Sequence, residues 1–279
     1  MYELTNERPN TVVEPVQVPP DSGMGAGETR LFISLAERGY KPLMSGHWAD
    51  DFETLPASLF TKVKNGKIPE NEQGLVFKEK KGSEFDAIKA LQELLTVGGR
   101  FRDCKMLKAR TERIIHHAVQ KYLRWAIKDG NLKISPEMIP VHMVGCQRGD
   151  EDTITIITRA SKKLERLAKR HQDAHADFEN PYWPTLLGFI LCGPIFSIVS
   201  VDTDPKDARW SSTASDTPIK YLSYFDISDF DQDVWNSLAI AISILHIRDT
   251  MAQLANVYSG SLVPHFRAPG EDDTDDEDF

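Results

Sequence analysis

The stretch LLGFILCGPIFSIVSVDTD, residues 186–204, is the most apolar run in the chain, and it restricts the folds open to it. A membrane-spanning helix needs about 20 consecutive apolar residues. Leu186 to Val201 is shorter and is broken by Gly188 and by Gly193–Pro194, so no membrane anchor is expected there. Its two apolar halves, LLGFIL and IFSIVSV, each have the length of a strand. The Gly-Pro centre suits a turn and not the middle of a ladder. The pattern predicts a buried two-strand hairpin that ends on the acids Asp202 and Asp204.

Other segments extend this reading in both directions. Ile219 to Ile227 alternates in polarity and predicts a further strand. After several N-cap candidates in 228–233, the segment Val234 to Ile247 is apolar on nearly every side, as a helix in the middle of a core must be. Upstream, Ser83 to Leu95 opens on a serine cap, carries Phe85, Ile88, Leu91, Leu94 and Leu95 on one stripe, and closes at Gly98–Gly99. Lys105 to Lys128 predicts a longer helix. Met138 to Cys146 and Thr153 to Thr158 are β-branched runs separated by QRGDED, a pattern that predicts another hairpin, with a helix from Arg159 to Ala176 after it. From Glu28, ETRLFISLAERGY predicts a short amphipathic helix ending at Gly39, and KNGK at 64–67 predicts a turn. The sum is an α/β (or α+β) fold: a mixed sheet of two hairpins plus one strand, flanked by helices, with a helical N-terminal part.

Composition sets the domain plan. Residues 1–28 combine four prolines with SGMGAG and carry almost no periodic apolar pattern, so a disordered arm is expected. Residues 29–257 are expected to form one α/β domain, with a helical part over 29–100 and the sheet core over 101–257. A disordered acidic tail is expected over 258–279. The net charge is −9, but seven acids fall in the last nine residues, which leaves the body close to neutral. Cys104, Cys146 and Cys192 lie far apart without CxxC spacing, so neither a disulfide framework nor a cysteine zinc site is indicated. The N-terminal MYELTNERPNTVVEPVQ has acids and prolines where a secretory signal needs a cationic start and an apolar core. An intracellular protein, cytoplasmic or nuclear, is expected.

LLGFILCGPIFSIVSVDTD, followed by KYLSYFDISD and a long apolar helix, resembles the later part of PD-(D/E)XK restriction-endonuclease-like domains over about residues 105–257. The same segment is similar to uncharacterised proteins of filamentous fungi. The resemblance implies two metal-binding carboxylates and a lysine on the earlier hairpin, where the acids hold Mg²⁺ and the lysine helps generate the attacking hydroxide. The matching strand here is Thr153–Thr158, and it has no acid followed two residues later by lysine. Asp150, Glu151 and Asp152 sit in the turn before it, and Lys162 and Lys163 come after it. The resemblance therefore implies an absent or rebuilt catalytic site.

Three other constellations are weighed on their residues. Asp202, Asp204, Asp226, Asp229, Asp231 and Asp233 come together at a cation only if the strands ending near 202 and 226 are suitable neighbours. Otherwise they cap a helix and start a turn. His171 and His175 share a helical face, but Gln172 stands where a HExxH motif needs glutamate, which favours a solvated pair. Arg159, Lys162, Lys163, Arg166, Lys169 and Arg170 form the most basic segment, with Lys162, Arg166 and Lys169 on one face. They are the candidate nucleic-acid-binding residues, set against an ordinary solvated face. No GxGxxG, Walker-type, GxSxG or kinase pattern occurs. The expectation is a non-catalytic interaction or accessory protein, for which the resemblance implies a degenerate nuclease-like domain, with a protein partner and no resident metal or cofactor. The alternatives are a Mg²⁺-dependent nucleic-acid hydrolase with Asp202 and Asp226 as catalytic candidates, and a nucleic-acid-binding protein.

Overall fold

A computed structural model describes residues 16–18, 22–62, 74–77, 83–106, 111–132, 138–211 and 219–258. The expected turn at 64–67, most of the N-terminal arm and the acidic tail beyond Tyr258 lie outside these residues. Among them the chain forms an α/β fold in which helices surround a four-stranded mixed sheet, with strand order β1-β2-β3-β4. The strands are β1 (His142–Cys146), β2 (Thr185–Cys192), β3 (Ile195–Asp202) and β4 (Lys220–Asp226).

The apolar stretch forms the expected hairpin. β2 and β3 pair antiparallel from Thr185↔Asp202 to Cys192↔Ile195, leaving a two-residue loop. Gly193 has φ +55° in the first loop position, a left-handed conformation that glycine adopts without steric cost, and Pro194 follows it. β4 adds antiparallel to β3, with Ile195↔Asp226 and Ser200↔Lys220 in register and an irregularity between Ile198 and Val199.

The other expected hairpin does not form. β1 pairs parallel with β2, and the chain between them is a single helix, α5 (Thr153–His175). The TITIIT run is its first two turns. Asp152 caps it: the carboxylate accepts from Thr155 N at 2.8 Å and from Thr155 Oγ1 at 3.0 Å. The buried residues Ile156, Ala160, Leu164, Leu167, Ala168 and His171 continue one helical stripe from end to end, and this periodicity outweighs the β-branched composition of the first turns. The sheet therefore has one hairpin, one added antiparallel strand and one parallel strand reached through a helical crossover.

Helix α1 (Ala26–Ala36) begins inside the segment assigned to the arm, because Glu28 is fully buried and accepts from the Gly25 N–H. Helix α2 (Glu84–Leu95) starts at the expected cap, where Ser83 Oγ accepts from Asp86 N. Gly98 and Gly99 do not end the helical region: they open α3 (Val97–Met106), and α4 (Glu112–Asp129) follows, so the single helix expected over 105–128 begins later and is preceded by another. A Cβ on Gly98 would sit 1.8 Å from Asp233 Oδ1, so the small residue lets α3 meet the start of α7 (Asp233–Tyr258). A four-residue helix, α6 (Ala208–Ser211), lies in the loop after β3.

Helix α7 is the centre of the core. The segment Phe230–Tyr258 has the length and hydropathy of a membrane-spanning helix, but most of it is buried inside this molecule. Three of its buried polar residues bond within the fold: Ser237 donates to Leu94 O, Asn236 to Asp226 O and Ser243 to Ala239 O. Arg248, 1% exposed, meets Asp129, fully buried at the end of α4, at 3.1 Å.

The two faces of the sheet are covered differently. On one side Phe189, Phe196 and Phe225 meet in series beneath α7 and α1, the first pair of rings tilted and the second stacked. On the other, a Cβ on Gly188 would collide with Val199 Cγ2 and Leu164 Cδ1, which shows that α5 lies directly on β2. Helix α5 covers β1 and β2, reaches β3 less, and leaves β4 largely uncovered.

Candidate functional site

The two candidate catalytic acids lie at opposite ends of the sheet. Asp226 is level with Ile195 at the start of β3, whereas Asp202 is the last residue of β3. Seven residues of strand at about 3.3 Å each put them about 23 Å apart. That separation is too great for one metal ion to bridge them, so the arrangement required of Asp202 and Asp226 in the hydrolase is not formed. Among the described residues no three His, Cys, Asp or Glu side chains gather in a metal-binding group. Asp226 instead accepts from Ser228 N at 2.7 Å and Ser228 Oγ at 2.6 Å, closing the turn toward α7. Asp233 is held by both terminal nitrogens of Arg102 at 3.0 and 2.7 Å, and Asp229 precedes the 3₁₀ turn Phe230–Gln232. These acids therefore serve turns and the α7 N-terminus, and Asp231 is exposed.

Asp202 belongs to a charged network that sequence reasoning missed. Glu28 of α1 accepts from Ser200 Oγ at 2.7 Å and from Arg209 at 3.0 and 3.1 Å. Arg209 also reaches both oxygens of Asp207, at 2.9 and 2.7 Å. Burial opposes the Arg209 charge, but hydrogen bonds to Asp207 and Glu28 more than reverse this and hold its pKa above the usual range. Burial pushes the Asp202 carboxyl upward and Glu28 adds to the effect, while the Asp204 N–H and Arg209 work against it. Lys220 donates to Ser22 O, and a Cβ on Gly25 would sit 1.8 Å from Asp202 Oδ2. Both oxygens of Glu28 are committed to protein donors. The network ties α1, the end of β3 and the following loop together; its members are far apart in sequence, and no local motif announces it.

Most of the basic segment faces outward, with one correction. Arg159 is not available to track phosphates: it donates to Glu151 at 3.1 and 2.8 Å and to Cys146 O at 2.8 Å, locking the start of α5 to the end of β1. Lys163 is half-buried on the side of His142. Lys162, Arg166, Lys169 and Arg170 are exposed, with Lys169 3.4 Å from Glu165. Ile154, Thr155, Thr158, Arg159, Lys162 and Arg166 line a shallow depression of about 330 Å³. All six belong to α5, so it is a dip in one helix surface and not a cleft built from several elements.

The histidines are not a solvated pair. His171 Nε2 donates to Pro140 O at 3.2 Å, and its Nδ1 is buried without a partner. Burial lowers its pKa to about 4. His175 stacks on Tyr258 with ring centroids 4.5 Å apart, pinning the end of α7 to the end of α5.

The uncovered half of the sheet carries an apolar strip. Val199 faces α5, and its register partner is Tyr221; two residues back on the same face is Ser197, whose partner is Tyr224, and then Ile195. Tyr221 is 47%, Tyr224 74% and Ile195 38% exposed. Strict alternation within IKYLSYFDI would set Tyr221 with Phe225 and Tyr224 with Leu222; the irregularity opposite Ile198 and Val199 brings both tyrosines onto the face of Val199 and Ser197, and the placement of α5 leaves that face open. β4 is also an edge strand, with an outer side that pairs with no described strand. Compared with protein-family models, with curated proteins and with solved structures, the chain has no significant match in any of the three.

Proposed function

We propose that this is an intracellular, non-catalytic interaction or accessory protein, a degenerate nuclease-like domain that binds a protein partner through the open half of its sheet. The observation that supports it most is the strip of Ile195, Tyr221 and Tyr224 on an edge-strand surface that α5 leaves bare. Tyrosine offers large contact area with few torsions to immobilise, and an edge strand offers main-chain groups to an incoming segment. The nuclease-like element rests on order alone, since the hairpin on which the resemblance placed its metal ligands is the beginning of α5. No cofactor belongs to this reading, and Mg²⁺ belonged only to the hydrolase. The experiment is capture from native extract with the wild-type chain and with Tyr221→Ser/Tyr224→Ser. A stoichiometric partner recovered by the first and lost by the second is expected. A partner retained by the folded double variant, or turnover of DNA or RNA by the wild type, contradicts the reading.

A second reading is favoured by the exposed cations Lys162, Arg166, Lys169 and Arg170, which lie on the helix flanking the tyrosine strip. Single-stranded nucleic acid is bound by such a pairing of cations with aromatic faces. It requires an affinity for an oligonucleotide that falls steeply with salt and drops again in Tyr224→Ser. Binding that is absent or independent of salt removes it.

A further inference from the structure

The cations of α5 have an acidic counterpart in the same chain. Helix α5 carries six Lys and Arg against two acids, Glu165 and Asp173. Lys162, Arg166 and Arg170 are exposed and make no ion pair among the described residues, while Lys169 is shared with Glu165. The two lysines of α4 are differently placed: Lys121 pairs with Glu93, and Lys128 lies 3.7 Å from Asp86. The region 271–278 contains seven acids and one threonine. The chain leaves the described fold at Tyr258, whose ring stacks on His175 in the last turn of α5 and whose hydroxyl accepts from Tyr182 N at 3.1 Å. It is therefore delivered to the C-terminal end of the basic helix.

The distances permit the meeting. At about 1.5 Å per residue, Lys169 lies about 9 Å and Lys162 about 20 Å from His175 along α5. The twelve residues 259–270 reach up to about 40 Å when extended. A tethered partner acts at an effective concentration in the millimolar range, so even weak pairing with the helix is occupied.

We infer that the acidic segment 271–278 docks in cis on the exposed face of α5 formed by Lys162, Arg166, Lys169 and Arg170. Docking screens this face from other polyanions, so an acidic peptide or nucleic acid must displace the tail to reach it. The inference does not depend on the partner proposed for the tyrosine strip, because its test involves only this chain.

Carbodiimide coupling of the full chain, followed by mass spectrometry of the monomer, joins carboxylates to lysines in contact. Links from 271–278 to Lys162 and Lys169 are expected at low salt, and they should vanish above about 0.5 M salt, where screening acts within about 4 Å. A fluorescent oligoglutamate probe supplies the second measurement. It should bind the full chain with all seven tail acids changed to Asn or Gln at least tenfold more tightly than the wild type, with the gap closing at high salt. Links spread equally over Lys105, Lys121 and Lys128, links only between molecules, or equal probe binding by the two chains would each overturn the inference.

Discussion

The two faces of one sheet have opposite characters. The α7 side is closed: three phenylalanines meet in series, α1 and α7 cover them, and the charged groups set into that side are paired, Glu28 with Arg209 and Arg248 with Asp129. The α5 side is closed only over β1 and β2, and beyond them Ile195, Tyr221 and Tyr224 face outward beside a helix that exposes Lys162, Arg166, Lys169 and Arg170. Buried charges hold a fold only where each finds its partner, whereas exposed tyrosines and unpaired surface cations add little to stability. The closed side therefore holds the molecule together, and the open side is the surface to which the proposed function assigns the partner.

The largest effect should follow from breaking the closed side. Arg248→Met leaves Asp129 charged and buried without its guanidinium, and a loss of about 3–5 kcal/mol is expected in urea denaturation. Arg248→Met/Asp129→Leu should recover much of it; a single variant as stable as the wild type would show that the pair is not integral to the core. Next comes Phe196→Ala, which removes the middle ring of the three at an expected cost of about 3–5 kcal/mol by the same assay. If it costs less than Tyr224→Ser, the contrast between the faces fails.

Acid should act on the closed regions as well. Burial lowers the pKa values of His142, His171 and His246 to about 4, against about 6.5 in the unfolded chain. Between these values the unfolded chain binds more protons, so stability is fully present above about pH 6.5 and is lost as pH falls toward 4. Urea midpoints between pH 7 and pH 4 should show this decline, with a shallower slope for His171→Gln. A flat profile would contradict buried neutral histidines. The smallest stability change, within about 0.5 kcal/mol, is expected for Tyr221→Ser and Tyr224→Ser, although these variants should lose the partner.

Much of the fold was legible where local and tertiary signals agreed. Ser83 caps α2 because a serine there meets an unsatisfied helix N–H, and Gly193 turns the hairpin because its backbone adopts positive φ. TITIIT misled because β-branched residues suggest strand. The Asp152 cap and the stripe Ile156, Ala160, Leu164 carried the stronger signal, and tertiary packing decides between such propensities. The pairing of Asp202 with Asp226 fails for a reason also present in the sequence: strands joined as antiparallel neighbours end at opposite edges of their sheet. The Glu28–Arg209 network and the bare half-sheet were not legible, because each depends on where distant segments pack.

The most direct test of the open face as the binding surface is hydroxyl-radical footprinting of the chain with and without its captured partner. Tyr221 and Tyr224 should be protected in the complex, while Tyr40, Phe85 and Met106, which are also exposed, keep their labelling. Unchanged labelling of Tyr221 and Tyr224, with protection elsewhere, would contradict the assignment of function to the open half of the sheet.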